Sequence, residues 1–249
     1  MSNKIKIVET NLNLRFEKGR KDYILSENIA KKQLTFFPDT DIYTNVEFMM
    51  KNCDYHKYLK LFEESGYIHY TALDNKGRGI LCEINSKFKV EKMAESFAPH
   101  MLHLRIYITQ KEFIDLITIR ILVSDGSHSD YKSRREQWKN ILSYISKLDS
   151  SHIVLTGDFN HGVINSSNNY CSKPREHYNY QLILNDLKQK NISLFPINGY
   201  SYHGYMKIDH IATGAKAIVE SAEYKDLFEG EKNEIGIPDH SCIVATISI

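Results

Sequence analysis

The chain has 249 residues, of which 42% are hydrophobic and 25% charged, enough for one large core and a single domain over residues 1–249. Its 32 basic and 31 acidic residues give a net charge of +1, which excludes a protein-wide positive field but not a local basic patch. No segment resembles a membrane span or a signal peptide, and the four scattered cysteines form no Cys-x-x-Cys pair. We therefore expect a cytoplasmic protein with reduced thiols and no membrane partner.

The first third of the chain is predicted to contain two strands and two helices. Alternation in Ile5-Lys6-Ile7-Val8 predicts a strand that ends at Asn11-Leu12-Asn13. A helix is predicted over about residues 22–33, where apolar residues recur one turn apart. A short strand is expected at residues 42–43, followed by a helix over residues 46–64.

The remainder is predicted to be rich in strands. Composition predicts strands over residues 67–71, 79–85, 102–108, 113–123 and 151–156, with short strands near residues 208 and 243. Amphipathic spacing predicts helices over about residues 138–148 and 177–190, with a polar loop at 163–175 before the second. Because strands and helices mix without strict alternation, we expect an α/β layered sandwich rather than a doubly wound parallel sheet.

The stretch that most indicates chemistry is Gly157-Asp158-Phe159-Asn160, which follows the apolar run Ile153-Val154-Leu155. A strand that ends in this way delivers a carboxylate and an amide to one edge of a sheet, where open α/β folds bind ligands. The same residues also favour an Asx turn without any catalytic role. Taken alone, the stretch does not decide between these two interpretations.

Polar residues also flank other predicted strands. They are Asn11, Asn13, Glu47, Asp209 within Lys207-Ile208-Asp209-His210-Ile211, and Asp239-His240 before the last strand. Each has an ordinary structural explanation, such as a turn, a solvated glutamate or an aspartate paired with lysine. Together, carboxylates, amides and an imidazole recurring at strand ends predict one site.

In this order, the motifs resemble those of the endonuclease/exonuclease/phosphatase superfamily, which includes exonuclease III, deoxyribonuclease I, inositol-phosphate phosphatases and sphingomyelinases. The most specific matches are Gly157-Asp158-Phe159-Asn160 and Asp239-His240. Weaker matches are the asparagine motif at 7–13, the glutamate motif at 41–47 with Val46 where glutamine is common, the strand at 79–82, the helix start at 134–138 and the segment at 207–211. The resemblance implies a four-layered α/β sandwich, with two packed mixed β-sheets flanked by helices.

The resemblance also implies a divalent cation at the site. Glu47 would bind Mg²⁺, with Mn²⁺ as the alternative, because these ions prefer hard oxygen ligands. Asn13 and Asp239 would assist directly or through water. Asn11 and Asn160 would hold phosphate oxygens through their amide donors.

The remaining roles implied by the resemblance concern proton transfer. His240, oriented by Asp209, would deprotonate water or stabilise the charge that develops at phosphorus. Asp158 would orient or activate the same water, and the sequence does not separate these two candidates for general base. Arg120 stands where nuclease members have a histidine or tyrosine; it could neutralise phosphate or be a surface ion-pair residue, but it cannot donate a proton. His128 could reach in from the following loop.

The substrate has to be inferred from loops and chain length. Basic residues expected to border the site could contact phosphates: Lys132, Arg134, Arg135, Lys173 and Arg175. Tyr200, Tyr202 and Tyr205 could stack on bases or pack on the sheet rim. The length resembles nuclease members most, so we expect a Mg²⁺-dependent nuclease with DNA or RNA as its partner. The alternatives are a phosphatase or phosphodiesterase of a small-molecule or lipid phosphate ester, and a catalytically weak binding protein of the same fold. The oligomeric state stays open.

Overall fold

Two mixed β-sheets, stacked face to face, form the centre of the protein. The structure is a computed structural model and describes residues 3–13, 26–50, 55–93, 98–162, 173–227 and 239–249. The first six-stranded sheet has the order β11 (Ile218–Lys225), β12 (Cys242–Ser248), β1 (Lys4–Asn11), β2 (Ile42–Met49), β4 (Arg78–Asn85) and β3 (Tyr67–Leu73). The second has the order β5 (Lys89–Lys92), β6 (Met101–Tyr107), β7 (Phe113–Arg120), β8 (Ile153–Asp158), β10 (Asp209–Thr213) and β9 (Ser193–Leu194).

Each sheet contains one parallel pair among antiparallel neighbours. In the first sheet β1 runs parallel to β2, and in the second β7 runs parallel to β8. Since β12 is antiparallel to β1 and β10 is antiparallel to β8, the starts of β12 and β10 lie beside the ends of β1 and β8. Strand ends from both sheets are thereby available at one end of the sandwich.

Helices cover the outer face of each sheet. The helices are α1 (Ser26–Phe36), α2 (Tyr55–Glu64), α3 (His128–Ile145) and α4 (Tyr180–Gln189). One buried cluster joins apolar residues of the two sheets, such as Ile7 and Val154. A second joins α1 and α2 to the first sheet, and a third joins α3 and α4 to the second. The predicted four-layered α/β sandwich is confirmed.

Several predicted boundaries are wrong. Residues 46–49 belong to β2 rather than to a helix, since Val46 and Phe48 are buried in the sheet layer. Helix α3 starts ten residues earlier than its apolar spacing predicts, because its first turns are polar and are held by the Ser127 cap. Strand β7 ends at Arg120, short of the predicted end at residue 123. The edge strands β5 and β11 were not predicted.

The remaining elements follow the sequence closely. Helix α1 continues to Phe36 and ends before Pro38, and the part of the prediction at residues 22–25 lies outside the described residues. The strands predicted at 67–71, 79–85, 102–108 and 151–156 are present, with ends shifted by one or two residues. None of the described helices is long and apolar enough to cross a membrane.

Candidate active site

The predicted site residues meet where β1, β8, β10 and β12 bring their ends together. Asn11 is the last residue of β1, and Asp158 is the last residue of β8. Asp209 begins β10 and lies directly opposite Asp158 in the antiparallel register. His240 lies two residues before the first residue of β12. Residues spread over 230 positions of sequence thus share one end of the sandwich because of the strand directions.

Asp158 is held by the turn that follows it. Gly157 has a φ of +127° and Asn160 a φ of +51°, so a glycine and an asparagine take the left-handed conformations that the turn requires. The backbone N–H of Asn160 donates to Asp158 Oδ1 at 2.8 Å, and its side-chain Nδ2 donates to Asp158 Oδ2 at 2.7 Å. Asn160 Nδ2 also donates to the carbonyl of Ile121 at 2.7 Å. Both amide hydrogens of Asn160 are therefore engaged within the protein, so its amide orients Asp158.

Asp209 and His240 form a buried hydrogen-bonded pair. His240 Nδ1 lies 2.7 Å from Asp209 Oδ2, which directs the Nε2 edge of the ring away from Asp209. The backbone of Asp209 is fixed by Ser201 Oγ, which accepts its N–H at 3.1 Å, and by the Tyr224 hydroxyl, which donates to its carbonyl at 2.7 Å. The ring of Tyr202 packs 4.8 Å from the His240 ring, centroid to centroid.

Burial and neighbouring charges give Asp158 and His240 different pKa values. Burial and then Asp209 raise the pKa of Asp158 to about 7. Burial lowers the pKa of His240, but Asp209, Asp158 and Asp239 together outweigh this effect and raise that pKa to about 10. At neutral pH His240 is therefore an imidazolium, whereas Asp158 is close to its midpoint.

Asn11 connects the two catalytic candidates. The backbone N–H of Asn13, which has a φ of +49°, donates to Asn11 Oδ1 at 2.9 Å. This bond turns the amide nitrogen of Asn11 towards Asp158 Oδ2 at 3.4 Å and His240 Nε2 at 3.5 Å. Both contacts are long, so this amide is less committed to protein partners than that of Asn160.

Glu47 lies on a distorted part of β2. Pairing with β4 shifts register between Asn45 and Phe48, and Glu47 has a φ of +54°. A bulge of this kind redirects a side chain out of the regular alternation. The Glu47 carboxylate receives a hydrogen bond from Arg120 at 2.6 Å, with the two side chains 6% and 23% exposed. The guanidinium of Arg120 is therefore paired with the Glu47 carboxylate and is not a free surface cation.

An open cavity of about 470 Å³ gives access to these groups. Its walls include five of the predicted site residues and several neighbours: Glu47, Arg120, Asp158, Asn160 and His240, with Val123, Ser124, Tyr131, Arg134, Tyr202, Met206 and Ile208. The other predicted site residues are buried and are not part of the cavity wall: Asn11, Asn13, Asp209 and Asp239. Asn11 contacts Asp158 and His240, and Asp239 Oδ1 lies 3.8 Å from His240 Nε2.

Two groups of side chains among the described residues bring three ligand atoms within 4.8 Å of one another. One is Asp158, Asp209 and His240, which the sequence predicts as catalytic groups. The other is His128, Glu176 and His177, which lies outside the cavity wall. The predicted metal ligands Glu47 and Asp239 belong to neither group.

The basic residues predicted to bind phosphate divide into two sets. Arg134 is 5% exposed and donates to Asp130 and to the carbonyl of Asn160, and Arg135 pairs with Asp186. Lys132 is exposed. Arg175 is partly buried, and the Lys173 side chain lies outside the described part of the structure. Two of the five predicted phosphate contacts are therefore used in internal ion pairs.

One buried acidic residue at the site was not predicted. Glu9 is fully buried on β1, and neither carboxyl oxygen has a hydrogen-bond partner among the described residues. Strand alternation places it between Ile7 and Asn11 on the face that meets the second sheet. Burial, followed by Asp209, raises its pKa well above the ordinary range. The signal in the sequence was a glutamate on the same strand face as Ile5 and Ile7.

Solved structures with the same architecture share little sequence with this chain. The endonuclease domain of TRAS1, a telomere-specific non-LTR retrotransposon, has a TM-score of 0.65 at 13% identity, covering 98% of each chain. D. rerio TDP2 complexed with a single strand DNA product has a TM-score of 0.62 at 12% identity, covering 99% of each. An endonuclease/exonuclease/phosphatase from Beutenbergia cavernae has a TM-score of 0.64 at 14% identity, covering 99% of this chain and 72% of that one. No protein-family model and no curated protein matches the sequence. The resemblance drawn from the motifs is confirmed for the fold.

Proposed function

We propose that this chain, which has the endonuclease/exonuclease/phosphatase fold, is a divalent-metal-dependent phosphodiester hydrolase that acts on nucleic acid. The observation that carries the proposal is the convergence of two supported groups on one cavity. Asp158 is held by Asn160, and His240 is held by Asp209. A carboxylate beside an imidazolium that is itself oriented by a second carboxylate is a suitable arrangement for activating water and stabilising negative charge. The similarity to an endonuclease domain and to a DNA-bound TDP2 supports nucleic acid as the substrate class.

The geometry supports different roles for Asp158 and His240. Asp158 would accept the proton of the attacking water, since both of its oxygens are fixed by hydrogen bonds from Asn160. His240 would stabilise the negative charge that develops at phosphorus, with Asp209 fixing the orientation of its ring. Asn11, whose amide makes only long contacts, would donate to a phosphate oxygen. We assign Asn160 to the positioning of Asp158 instead of to phosphate binding, because its amide hydrogens are both used.

The donor set around the cavity fits a hard divalent cation. The carboxylates at or next to the cavity are Glu47, Asp158, Asp209 and Asp239, and the cationic groups there are Arg120, Arg134 and His240. Carboxylate and amide oxygens suit Mg²⁺ or Mn²⁺. Glu47 would hold the ion, assisted by Asn13 and Asp239, and the ion would neutralise charge on the phosphate and leaving oxygens. Arg120 would have to release the Glu47 carboxylate for the ion to bind.

Protonation of the leaving group needs a group other than Arg120, because a guanidinium does not lose its proton in proteins. His128 is not part of the cavity wall, and its Nε2 lies 3.0 Å from that of His177. Tyr131 and Tyr202 carry hydroxyl groups and line the cavity. We propose that one of these two tyrosines supplies the proton. Each tyrosine should be replaced by phenylalanine in turn. The replacement that removes the proton donor should slow cleavage most for substrates with poor leaving groups.

The experiment that tests the proposal is a cleavage assay on plasmid, single-stranded DNA and RNA with Mg²⁺ or Mn²⁺, repeated with EDTA. Asp158→Asn and His240→Ala should each lower the rate by about 10²–10⁴-fold. The matched controls are Glu64→Gln and His56→Ala, which change exposed residues of α2. Nucleic acid that stays intact with folded wild-type protein under all of these conditions contradicts the proposed substrate.

A second candidate function is hydrolysis of a small phosphodiester or phosphomonoester. It is favoured by the internal use of Arg134 and Arg135, which removes two cations from any extended nucleic-acid path. The same protein samples should be offered bis(p-nitrophenyl) phosphate, p-nitrophenyl phosphate and inositol phosphates. Metal-dependent turnover of these compounds without nicking of plasmid would establish this second candidate.

A further inference from the structure

A second cluster of possible metal ligands lies apart from the proposed active site. His128 is the first residue of α3, while Glu176 and His177 lie at and just after the 3₁₀ turn Lys173–Glu176. The Nε2 atoms of the two histidines are 3.0 Å apart, and Glu176 Oε1 is 3.6 Å from His177 Nε2. All three ligand atoms lie within 4.8 Å of one another. None of the three residues lines the active-site cavity.

The distances match those expected around a tetrahedral transition-metal ion. Zinc binds imidazole nitrogen at about 2.0–2.1 Å, so two nitrogens on one tetrahedral ion lie roughly 3.3 Å apart. The observed separations of 3.0 Å and 3.6 Å differ from that value by only a few tenths of an ångström. The rings stand nearly perpendicular, at 84°, and are therefore not stacked on each other.

We propose that His128, Glu176 and His177 form a binding site for a transition-metal ion of the Zn²⁺ class. Two imidazoles and one carboxylate select Zn²⁺, Co²⁺ or Ni²⁺ over Mg²⁺, which prefers oxygen ligands. Without metal, one Nε2 carries the hydrogen that the other accepts. On binding, that ring takes the tautomer with its hydrogen on Nδ1, and each Nε2 offers a lone pair to the ion. The side chains of Glu176 and His177 are 65% and 28% exposed, so an ion can enter from solvent.

The position of the cluster gives the metal a structural consequence. Arg134, on the same helix as His128, donates to the carbonyl of Asn160 at 3.2 Å. Tyr178, adjacent to His177, donates from its hydroxyl to the carbonyl of Phe159 at 2.7 Å. An ion bound by His128 and His177 would therefore tie together the two segments that support the Phe159–Asn160 turn. This consequence for catalysis rests on the proposed function, but the binding of the ion does not.

The test is calorimetric titration with Zn²⁺ of protein that has been stripped of transition metals. A parallel titration with Co²⁺ is followed by the absorption bands of that ion. Excess Mg²⁺ is present throughout to occupy the oxygen-donor site. Wild-type protein should bind one Co²⁺ with the absorption of a tetrahedral complex and should melt at a higher temperature with Zn²⁺. His128→Ala, His177→Ala and Glu176→Gln should each weaken binding by about tenfold or more. The control His56→Ala should bind as wild type does.

The variants remain interpretable because exposed or partly exposed side chains are replaced, and circular dichroism serves to check that each variant is folded. Equal Co²⁺ affinity in wild type and His128→Ala overturns the site, as does wild-type protein that binds no Co²⁺ in excess Mg²⁺. Loss of nuclease activity plays no part in this test. A protein that fails to cleave nucleic acid but binds Co²⁺ through His128 would contradict the proposed function and leave the metal site standing.

Discussion

The buried Glu9 provides a direct test of how the carboxyl groups beneath the site share protons. Both of its oxygens lack hydrogen-bond partners among the described residues, and its side chain is inaccessible to solvent. Burial raises the pKa of Glu9 well above its ordinary range; Asp209 and Asp158 raise it further, whereas His240 lowers it. We therefore expect a neutral carboxylic acid. Glu9→Gln keeps the shape of the side chain and removes the proton that can be lost.

The size of the effect follows from proton linkage. The folded protein retains a proton on Glu9 that the unfolded chain releases above the ordinary glutamate pKa. The contribution of Glu9 to stability is therefore complete below that ordinary pKa and is lost as pH rises, by about 1.4 kcal/mol for each pH unit up to the folded-state pKa. Glu9→Gln should therefore gain about 1.4 kcal/mol in free energy of unfolding relative to wild type for each pH unit above the ordinary glutamate pKa, until the folded-state pKa is reached.

The assay is urea unfolding at several pH values, followed by fluorescence of the single tryptophan, Trp138, which lies on the buried face of α3. Glu64→Gln on α2 is the matched control, because it removes an exposed carboxylate. The reasoning is refuted if the stability difference between Glu9→Gln and wild type is independent of pH. It is also refuted if Glu9→Gln loses stability relative to wild type as pH rises.

Three further predictions follow from individual contacts. Arg120→Gln removes the ion pair that Arg120 makes with the Glu47 carboxylate at 2.6 Å. Calorimetry should show that Mn²⁺ binds about tenfold more tightly, equivalent to roughly 1.4 kcal/mol. Unchanged or weaker binding would argue against competition between Arg120 and the metal for Glu47. Burial lowers the pKa of His210 to about 4, so the unfolded chain takes up a proton that the folded protein excludes, and stability falls as pH drops below the ordinary histidine value. Between about pH 7 and pH 5, this proton uptake should lower the free energy of unfolding by roughly 2 kcal/mol. In urea titrations, His210→Gln should lack this loss. Gly157→Ala places a Cβ 2.1 Å from a backbone carbonyl oxygen of β7 and should lower the free energy of unfolding by about 3 kcal/mol or more. The control Gly126→Ala meets no atom within 4 Å and should cost only about 1–2 kcal/mol, through its positive φ. Equal melting temperatures for the two variants would count against steric exclusion.

Local sequence patterns are most informative where an element is buried on both faces. Strand β8 could be predicted because its run of apolar residues ends abruptly in Gly157 and Asp158, and the turn needs residues that accept positive φ. The edge strands β5 and β11 were missed because partly solvated strands keep charged residues and lack an apolar signature. The start of α3 was missed because its buried Asp130 and Arg134 pair with each other, and a pair of charges carries no apolar period.

The sequence by itself determined which chemical groups could form the site and in what order along the chain they occur. Tertiary structure decided their contacts. Arg120 pairs with Glu47, 73 residues away, because two sheets meet there, and the bulge that aims Glu47 has no distinct local pattern. The amide nitrogen of Asn160 donates both to the carbonyl of Ile121 and to Asp158. Because every residue has a backbone carbonyl, no sequence pattern marks the contact with Ile121. Burial and neighbouring charge likewise set the protonation of Glu9 and His240, and both depend on packing between segments distant in sequence.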